Sequence, residues 1–353
     1  VSRRVLVARL DSAGDVLVSG PAVRAIAAGA DEVLLLAGPQ GASAARLLPG
    51  VDRVAVWASP WIVAPAPDAT PAHLAELDRV IREFAPDEAV ILTSFHQSPL
   101  PLALALRLAG VRRITGASTD YAGSLLDVRL KPGEDFSEDI PEPERALTIA
   151  RAAGFDPAAG DDGRLAVEHG AVPAALGLPE EPFVAVHPGA AVPARAWPAS
   201  HHTALVEALA ARGIRSVVTG GPAEAELTAQ VAGAHGLDLG GRTDLATMAG
   251  VLSRAAVVVT GNTGPAHLAA AVGTPVVSLF SPVVPASRWA PYGVPLVLLG
   301  DQQAACRGSR ARECPIAGHP CLSSVDPAEV VDACLTFLPG ADAAPRDLAE
   351  AAS

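Results

Sequence analysis

The sequence predicts an α/β protein of two similar halves, each a parallel sheet with helices on both faces. Three observations carry that expectation. Short apolar runs rich in Val, Leu and Ala alternate with helical segments through both halves of the chain. Glycine turns follow the ends of several of those runs, at Gly14, Gly189, Gly220 and Gly264. Between the halves, Phe155–Pro182 is rich in Gly, Pro, Asp and Ala and holds no sustained period.

Taken in order, strands are expected at Arg4–Leu10, Glu32–Ala37, Arg53–Trp57, Ala89–Thr93 and Arg113–Gly116, where β-branched and aliphatic residues cluster. Helices fall between them at Val16–Ala28, Pro71–Phe84 and Leu100–Leu108, with Pro21 kinking or restarting the first. The second half gives strands at Phe183–His187, Ser216–Thr219, Ala256–Thr260, Val276–Phe280 and Leu296–Leu299. Its helices are expected at Ser200–Arg212, Ala223–His235, Leu245–Ser253, Pro265–Val272 and Asp326–Phe337. Domains are set at 1–160 and 183–338, with a linker region at 161–182, one strand inside it at Leu165–Glu168, and a tail at 339–353. The sum is two Rossmann-like halves facing a cleft.

Composition narrows the function. A chain of 353 residues suffices for two domains with their own cores. Only 4% of residues are aromatic, so those cores are aliphatic. Abundant alanine and a single lysine, Lys131, read as genomic GC bias and point to a high-GC bacterium, an actinobacterium being one such source. The net charge of -12 opposes nucleic-acid binding, which needs phosphate-neutralising basic surface, and opposes residence on anionic membrane. Residues 1–150 carry 14 Lys and Arg against 19 Asp and Glu, so the first half has no basic excess. No apolar run reaches the roughly 18 to 20 residues of a membrane span, and a strand from about Arg4 leaves no room for a signal peptide. A cytoplasmic protein is expected.

Two segments bear the chemistry. Asp15 follows the first strand in Asp11-Ser12-Ala13-Gly14-Asp15, at the carboxyl end where ligands of open parallel sheets collect. A carboxylate there can take a proton from a bound hydroxyl. On spacing alone a helix cap is the simpler role for Asp15, and Asp11 is equally placed as a turn residue. In Gly261-Asn262-Thr263-Gly264-Pro265-Ala266-His267, a strand ends, glycine occurs twice in four residues, and Pro265 suits a first helical turn. Free N–H groups of Thr263 and Gly264, with the helix dipole, would make an anion site. The plain alternative is an ordinary turn with a buried His267.

Arg195 is placed to reach a phosphate through two bonds, against the simpler role of a solvated loop charge. Trp197 reads as a packing anchor, and Glu224 as a first-turn helix residue before a ribose ligand. There is no G-x-G-x-x-G, no Walker A motif and no Asp-x-Asp, so dinucleotide binding, NTP hydrolysis and a paired-carboxylate metal site lose support. Cys306, Cys314 and Cys321 cluster with His319, but their spacing lacks the tight C-x2-C pair of zinc folds. Reduced thiols come first among the readings, a disulfide second and a metal third. His201-His202 reads as surface.

These motifs, in this order, resemble the heptosyltransferases of glycosyltransferase family nine, which transfer heptose from an ADP-sugar in lipopolysaccharide core synthesis. The resemblance runs from Arg4 to about Phe337. It rests on Gly14-Asp15-Val16-Leu17 with Pro21, on Arg195 with Trp197-Pro198, and on Asn262 through His267. It implies a GT-B fold, a donor held mainly by the second domain, and an inverting transfer with no metal or other cofactor. Asp15 matches the family's catalytic carboxylate, and Thr263 and Gly264 its diphosphate-binding turn, with Pro265 and His267 beside them. Arg195 stands where members often carry lysine. Asn262 stands where they usually carry the aspartate that meets donor sugar hydroxyls. The cysteine loop resembles one in the family with at least one cysteine missing. On this reading Glu224 and Met248 fall to the nucleoside, and Ser12 and Gly14 to the acceptor side. The partners expected are an ADP-heptose-like donor and a small natural-product precursor or envelope glycan as acceptor. A lipopolysaccharide core acceptor, a nucleotide-sugar epimerase of the same fold and a non-catalytic ADP-sugar-binding protein are the alternatives.

Overall fold

The computed structural model describes residues 3–339. In the first half, β1 (Arg4–Arg9) leads into α1 (Ala13–Val18) and α2 (Gly20–Gly29), followed by β2 (Glu32–Ala37), α3 (Ala42–Ala45) and β3 (Arg53–Val56). Then come α4 (Pro71–Phe84), β4 (Glu88–Ile91), α5 (Leu100–Leu108), β5 (Arg113–Ala117), β6 (Val128–Leu130) and α6 (Glu142–Ala152). All strands pair in parallel, in the order β3-β2-β1-β4-β5-β6. Val5 to Ala8 are all buried, as a central strand covered on both faces requires.

The second half repeats the plan. It comprises β7 (Phe183–His187), α7 (Ala199–Ala210), β8 (Arg215–Val218), α8 (Ala225–Ala232), β9 (Gly236–Asp238) and α9 (Leu245–Ser253). After these lie β10 (Val257–Gly261), α10 (Gly264–Ala271), β11 (Val276–Leu279), α11 (Ala286–Trp289), β12 (Leu296–Leu299), α12 (Pro320–Ser323) and α13 (Pro327–Leu335). Its order, β12-β11-β10-β7-β8-β9, is the same doubly wound topology. Strand order therefore reverses between β1 and β4 in one sheet and between β7 and β10 in the other. The two expected chemical segments follow β1 and β10.

The halves share a core. Val5, Leu17, Leu35 and Ile149 of the first belong to one apolar cluster with Leu252, Val258, Leu268 and Val276 of the second. Helix α1 lies against α10, and α3 against α9. Leu165 packs with Val18, Ala270 and Ala271. Arg24 grips Asp161 through two hydrogen bonds of 2.8 Å and donates a third to the Arg164 carbonyl, fastening the connecting segment to the first half.

Several expectations shift. Pro21 restarts the first helix: Ser19 ends α1 and caps α2, and Pro21 occupies its first turn, where no N–H is needed. Leu165–Glu168 is not a strand; its one ladder-like bond, from Glu168 N–H to the Leu47 carbonyl, joins no sheet. Edge strands β6 and β9 and helices α3, α6, α11 and α12 carry too short or too mixed a pattern to stand out in the sequence. The tail beyond Pro339 lies outside the described residues. Among the described residues no helix is long and apolar enough to cross a membrane.

His202 is a further correction. It lies on α7 with 1% of its surface exposed, edge-on to Trp197 at 4.7 Å, rather than at the surface. The packing of Trp197, whose indole N–H donates to the Val325 carbonyl, draws the imidazole inward. Burial, with His187 and His201 adding to it, lowers the His202 pKa from 6.5 to about 3. The unfolded chain therefore binds a proton near pH 6.5 that the folded chain refuses. This contribution to stability is whole above that pH and is lost as pH falls. Between pH 7 and 5, thermal and urea unfolding of His202→Leu should decline less steeply than wild type, by about 2 kcal/mol. Parallel slopes would show that the buried imidazole is not neutral.

Candidate active site

The four loops beyond β1, β4, β7 and β10 converge where the two halves face each other. Ser12 is the N-cap of α1 and Asp15 its third residue, whose carboxylate reaches back to the cap as in one half of a capping box. Asp15 Oδ2 accepts from Ser12 Oγ at 2.5 Å and from Ser12 N–H at 3.2 Å, while Oδ1 accepts from Arg9 Nη2 at 3.0 Å. The carboxylate closes the first turn yet keeps 18% of its side-chain surface open, so serving as a cap does not bar it from contact with a ligand.

Arg9 is the residue that reading by motif missed. It ends β1 with 1% exposure. Its Nε donates to Asp11 at 2.7 Å, its Nη2 also donates to Ser94 Oγ at 2.7 Å, and Nη1 lies 3.7 Å from Glu142 Oε2. Asp11 accepts further bonds from Ser94 and Gln97, in the loop after β4. Burial raises the Asp11 pKa to about 6 against the pull of Arg9, with Asp15 adding to the rise. Burial likewise raises Glu142. The signal was present in the sequence as one charge inside an otherwise apolar strand, which must be paired to be buried. Glu142 and Arg145 come from α6, unrecognised in the sequence.

Across the gap, Thr263 caps α10 with extended backbone. The expectation of two free amides is corrected: the Thr263 N–H donates to the Gly261 carbonyl at 2.8 Å, because the turn after β10 closes on itself. Among the described residues the Gly264 N–H makes no hydrogen bond, and Pro265 has none to give. Asn262 is buried with its amide spent on the Ser281 backbone, Nδ2 donating to the carbonyl at 3.2 Å and Oδ1 accepting at 3.3 Å. Arg195 is brought alongside, donating from Nη1 to the Asn262 carbonyl at 3.3 Å, with its buried Nε unpaired. Burial lowers its pKa, with Asp15 opposing. His267 is buried, its pKa lowered by burial to about 4, so the imidazole is neutral at pH 7.

Gly14 makes the meeting possible. A Cβ there would lie 3.2 Å from His267 Cδ2 and 3.3 Å from Gly264 Cα. The backbones of the two motifs thus touch across the domain boundary. Glu224 reaches back similarly: its carboxylate accepts from the Gly221 N–H at 2.8 Å and lies 3.8 Å from His187 Nε2. It fills the space a side chain at Gly189 would need, with Oε1 only 1.8 Å from that Cβ position. Met248 is buried in the shared core. In the loop after β4, Phe95 lies under the guanidinium groups of Arg288, at 4.4 Å, and Arg310, at 5.5 Å. Cys306, Cys314, Cys321 and Cys334 are free thiols, and burial raises Cys321 to about 11 and Cys334 to about 12.

Two parallel sheets that meet at their switch points, with a carboxylate from one and a helix start from the other, are the arrangement of a GT-B fold. Residues 111–318 match the model of glycosyltransferase family 9 (heptosyltransferase), and the chain belongs to that family. Solved structures agree on the fold. The family 9 glycosyl transferase of Veillonella parvula DSM 2008 superposes with a TM-score of 0.74 at 16% identity, over 95% of this chain and 97% of that one. The E. coli ADP-heptose lipopolysaccharide heptosyltransferase II gives 0.69 at 20% identity, covering 95% and 98%. The E. coli heptosyltransferase WaaC with ADP-2-deoxy-2-fluoro heptose gives 0.64 at 19%, covering 93% and 98%. Among curated proteins none matches the sequence significantly.

The contact at Gly14 is testable. Gly14→Val should leave the circular dichroism spectrum unchanged while lowering glycosyl transfer about a hundredfold, since displacements of an ångström at reacting groups cost that much. Wild-type turnover in this variant would show that the two motifs need not touch.

Proposed function

We propose that the enzyme transfers a heptose, or a related sugar, from an ADP-sugar to a hydroxyl of a small natural-product precursor or an envelope glycan, with inversion and without a metal ion. The observation that carries the reading is the contact of the Gly14-Asp15 turn with the start of α10. The donor diphosphate would lie on the Gly264 N–H and the positive end of α10, with Arg195 as its cation. The acceptor oxygen attacks the anomeric carbon, Asp15 takes the hydroxyl proton, and the bond from that carbon to the diphosphate oxygen breaks. Charge developing on the departing ADP falls on a preorganised amide and guanidinium, the kind of stabilisation that is greatest in the transition state.

Several features favour these details. His267 is neutral, so it adds no competing cation beside Asp15. Glu224, braced by Gly221 and His187, presents a carboxylate suited to a ribose diol. Asn262 hydrogen-bonds the Ser281 backbone, which favours a part in shaping the turn over contact with a sugar hydroxyl. The acidic balance of residues 1–150 favours an acceptor that is not itself heavily phosphorylated.

Asp15→Ala should abolish transfer while ADP affinity stays within about twofold; transfer near the wild-type rate would remove Asp15 as the base. A thermal-shift series with ADP-, UDP-, GDP- and dTDP-sugars tests the donor. The preferred nucleotide at a hundred times its Kd should add about 3 kcal/mol of stability. A larger shift with UDP or GDP than with ADP would exclude an ADP-sugar.

A further inference from the structure

Behind Asp15 lie two buried guanidinium groups, Arg9 and Arg145, and a cluster of carboxylates. Arg9 is fully enclosed, and three carboxylates, Asp11, Asp15 and Glu142, lie 2.7, 3.0 and 3.7 Å from separate nitrogens of its guanidinium. The three nitrogens divide their partners: Nε holds Asp11, Nη2 holds Asp15 and Ser94, and Nη1 faces Glu142. Glu142 has both oxygens buried without a hydrogen bond, so it serves the cluster by charge alone. Replacing such buried ionic groups by apolar ones is often neutral or stabilising, so stability gives no reason for this one.

We infer that Arg9 is a positioning residue for the transfer: its guanidinium, anchored from behind by Asp11, Ser94 and Glu142, fixes one carboxylate oxygen of Asp15 while Ser12 fixes the other. The inference rests on Asp15 being the base. With Oδ1 and Oδ2 both tethered, the carboxylate has one orientation, and its remaining lone pairs are the ones offered to the interdomain gap. Lysine could not replace the fork, because an ammonium is a point charge and cannot hold three partners in fixed directions. Asp11 has the opposite electrostatic effect. It shares the guanidinium and stands as a second negative charge near Asp15.

Other charged groups face Asp15 from each surrounding element. Glu142 comes from α6, His96 from the loop after β4, His267 from α10 and Arg195 from the loop before α7. His267 is neutral at pH 7, burial lowers His96 as well, and Arg195 lies on the donor side. Arg9 is the cation bonded to Asp15 among the described residues.

The test is the pH dependence of kcat/KM for the acceptor at saturating donor, measured on the full chain. Removing a neighbouring cation raises the pKa of a base, so Arg9→Met should move the acid limb to higher pH by about one unit. Removing a neighbouring anion lowers it, so Asp11→Asn should move the same limb to lower pH. Arg9→Lys should keep the limb near its wild-type position but lower kcat about a hundredfold, through loss of orientation. A purely structural arginine would alter expression and melting temperature without shifting the limb in opposite directions. Shifts of the same sign, or none, overturn the inference. If Arg9→Met fails to fold, Arg9→Lys decides alone: a wild-type kcat overturns the inference. Asp15→Asn separates the two readings. If it retains activity, the base assignment fails; if it is dead and the limbs do not move, only the role of Arg9 fails.

Discussion

The approach of two backbones at Gly14 and Gly264 governs the rest of the molecule. Neither residue has a side chain, and the space each leaves is taken by the other and by the edge of His267. Helices α1 and α10 are thereby brought together as though they belonged to one domain, although they begin at the switch points of two different sheets. A carboxylate at the third position of one helix and a bare amide at the first position of the other then share one small volume. An added methyl at Gly14 would press on both His267 and Gly264, whereas one at Gly264 would meet Gly14 only at ordinary contact distance.

That meeting joins two unlike electrostatic environments. On the first-domain side the ionisable groups are charged and interlocked: Arg9 with Asp11, Asp15 and Glu142, and Arg145, which burial pulls below the usual guanidinium range. On the second-domain side the buried groups are neutral imidazoles, His187, His202 and His267, all held down by desolvation. The contrast matches the division of labour. A base needs its ionisation fixed by close charges, whereas a leaving anion is served by dipoles that require no proton exchange during the reaction.

Much of this was legible in the sequence because it depends on backbone geometry. Strands β1, β7 and β10 were clear from their apolar runs, and the turns after β1 and β10 from glycine and proline placement. What escaped notice depends on tertiary pairing. Arg9 is flanked by Ala8 and Leu10, and nothing local says which carboxylates meet it. Glu142 and Arg145 lie on α6, whose buried positions are filled by mixed polar and apolar residues, so its periodicity is blurred. Thr263 reads as a free amide because the sequence shows that a turn exists but not that its own carbonyl claims the N–H. His202 reads as exposed because the aromatic neighbour that buries it is five residues upstream in a loop.

Some of the unpaired buried polar atoms lie close to the meeting of the two motifs. Arg195 Nε and His267 Nδ1 on one side, and Thr93 Oγ1, Glu142 and Arg145 Nε on the other, are buried without hydrogen bonds. In a packing core such groups would each cost about 1–3 kcal/mol. Others lie well away from that meeting point, among them Arg24 Nη1, Glu88 Oε2, Thr115 Oγ1 and Ser216 Oγ, so only the first set can bear on a ligand held there.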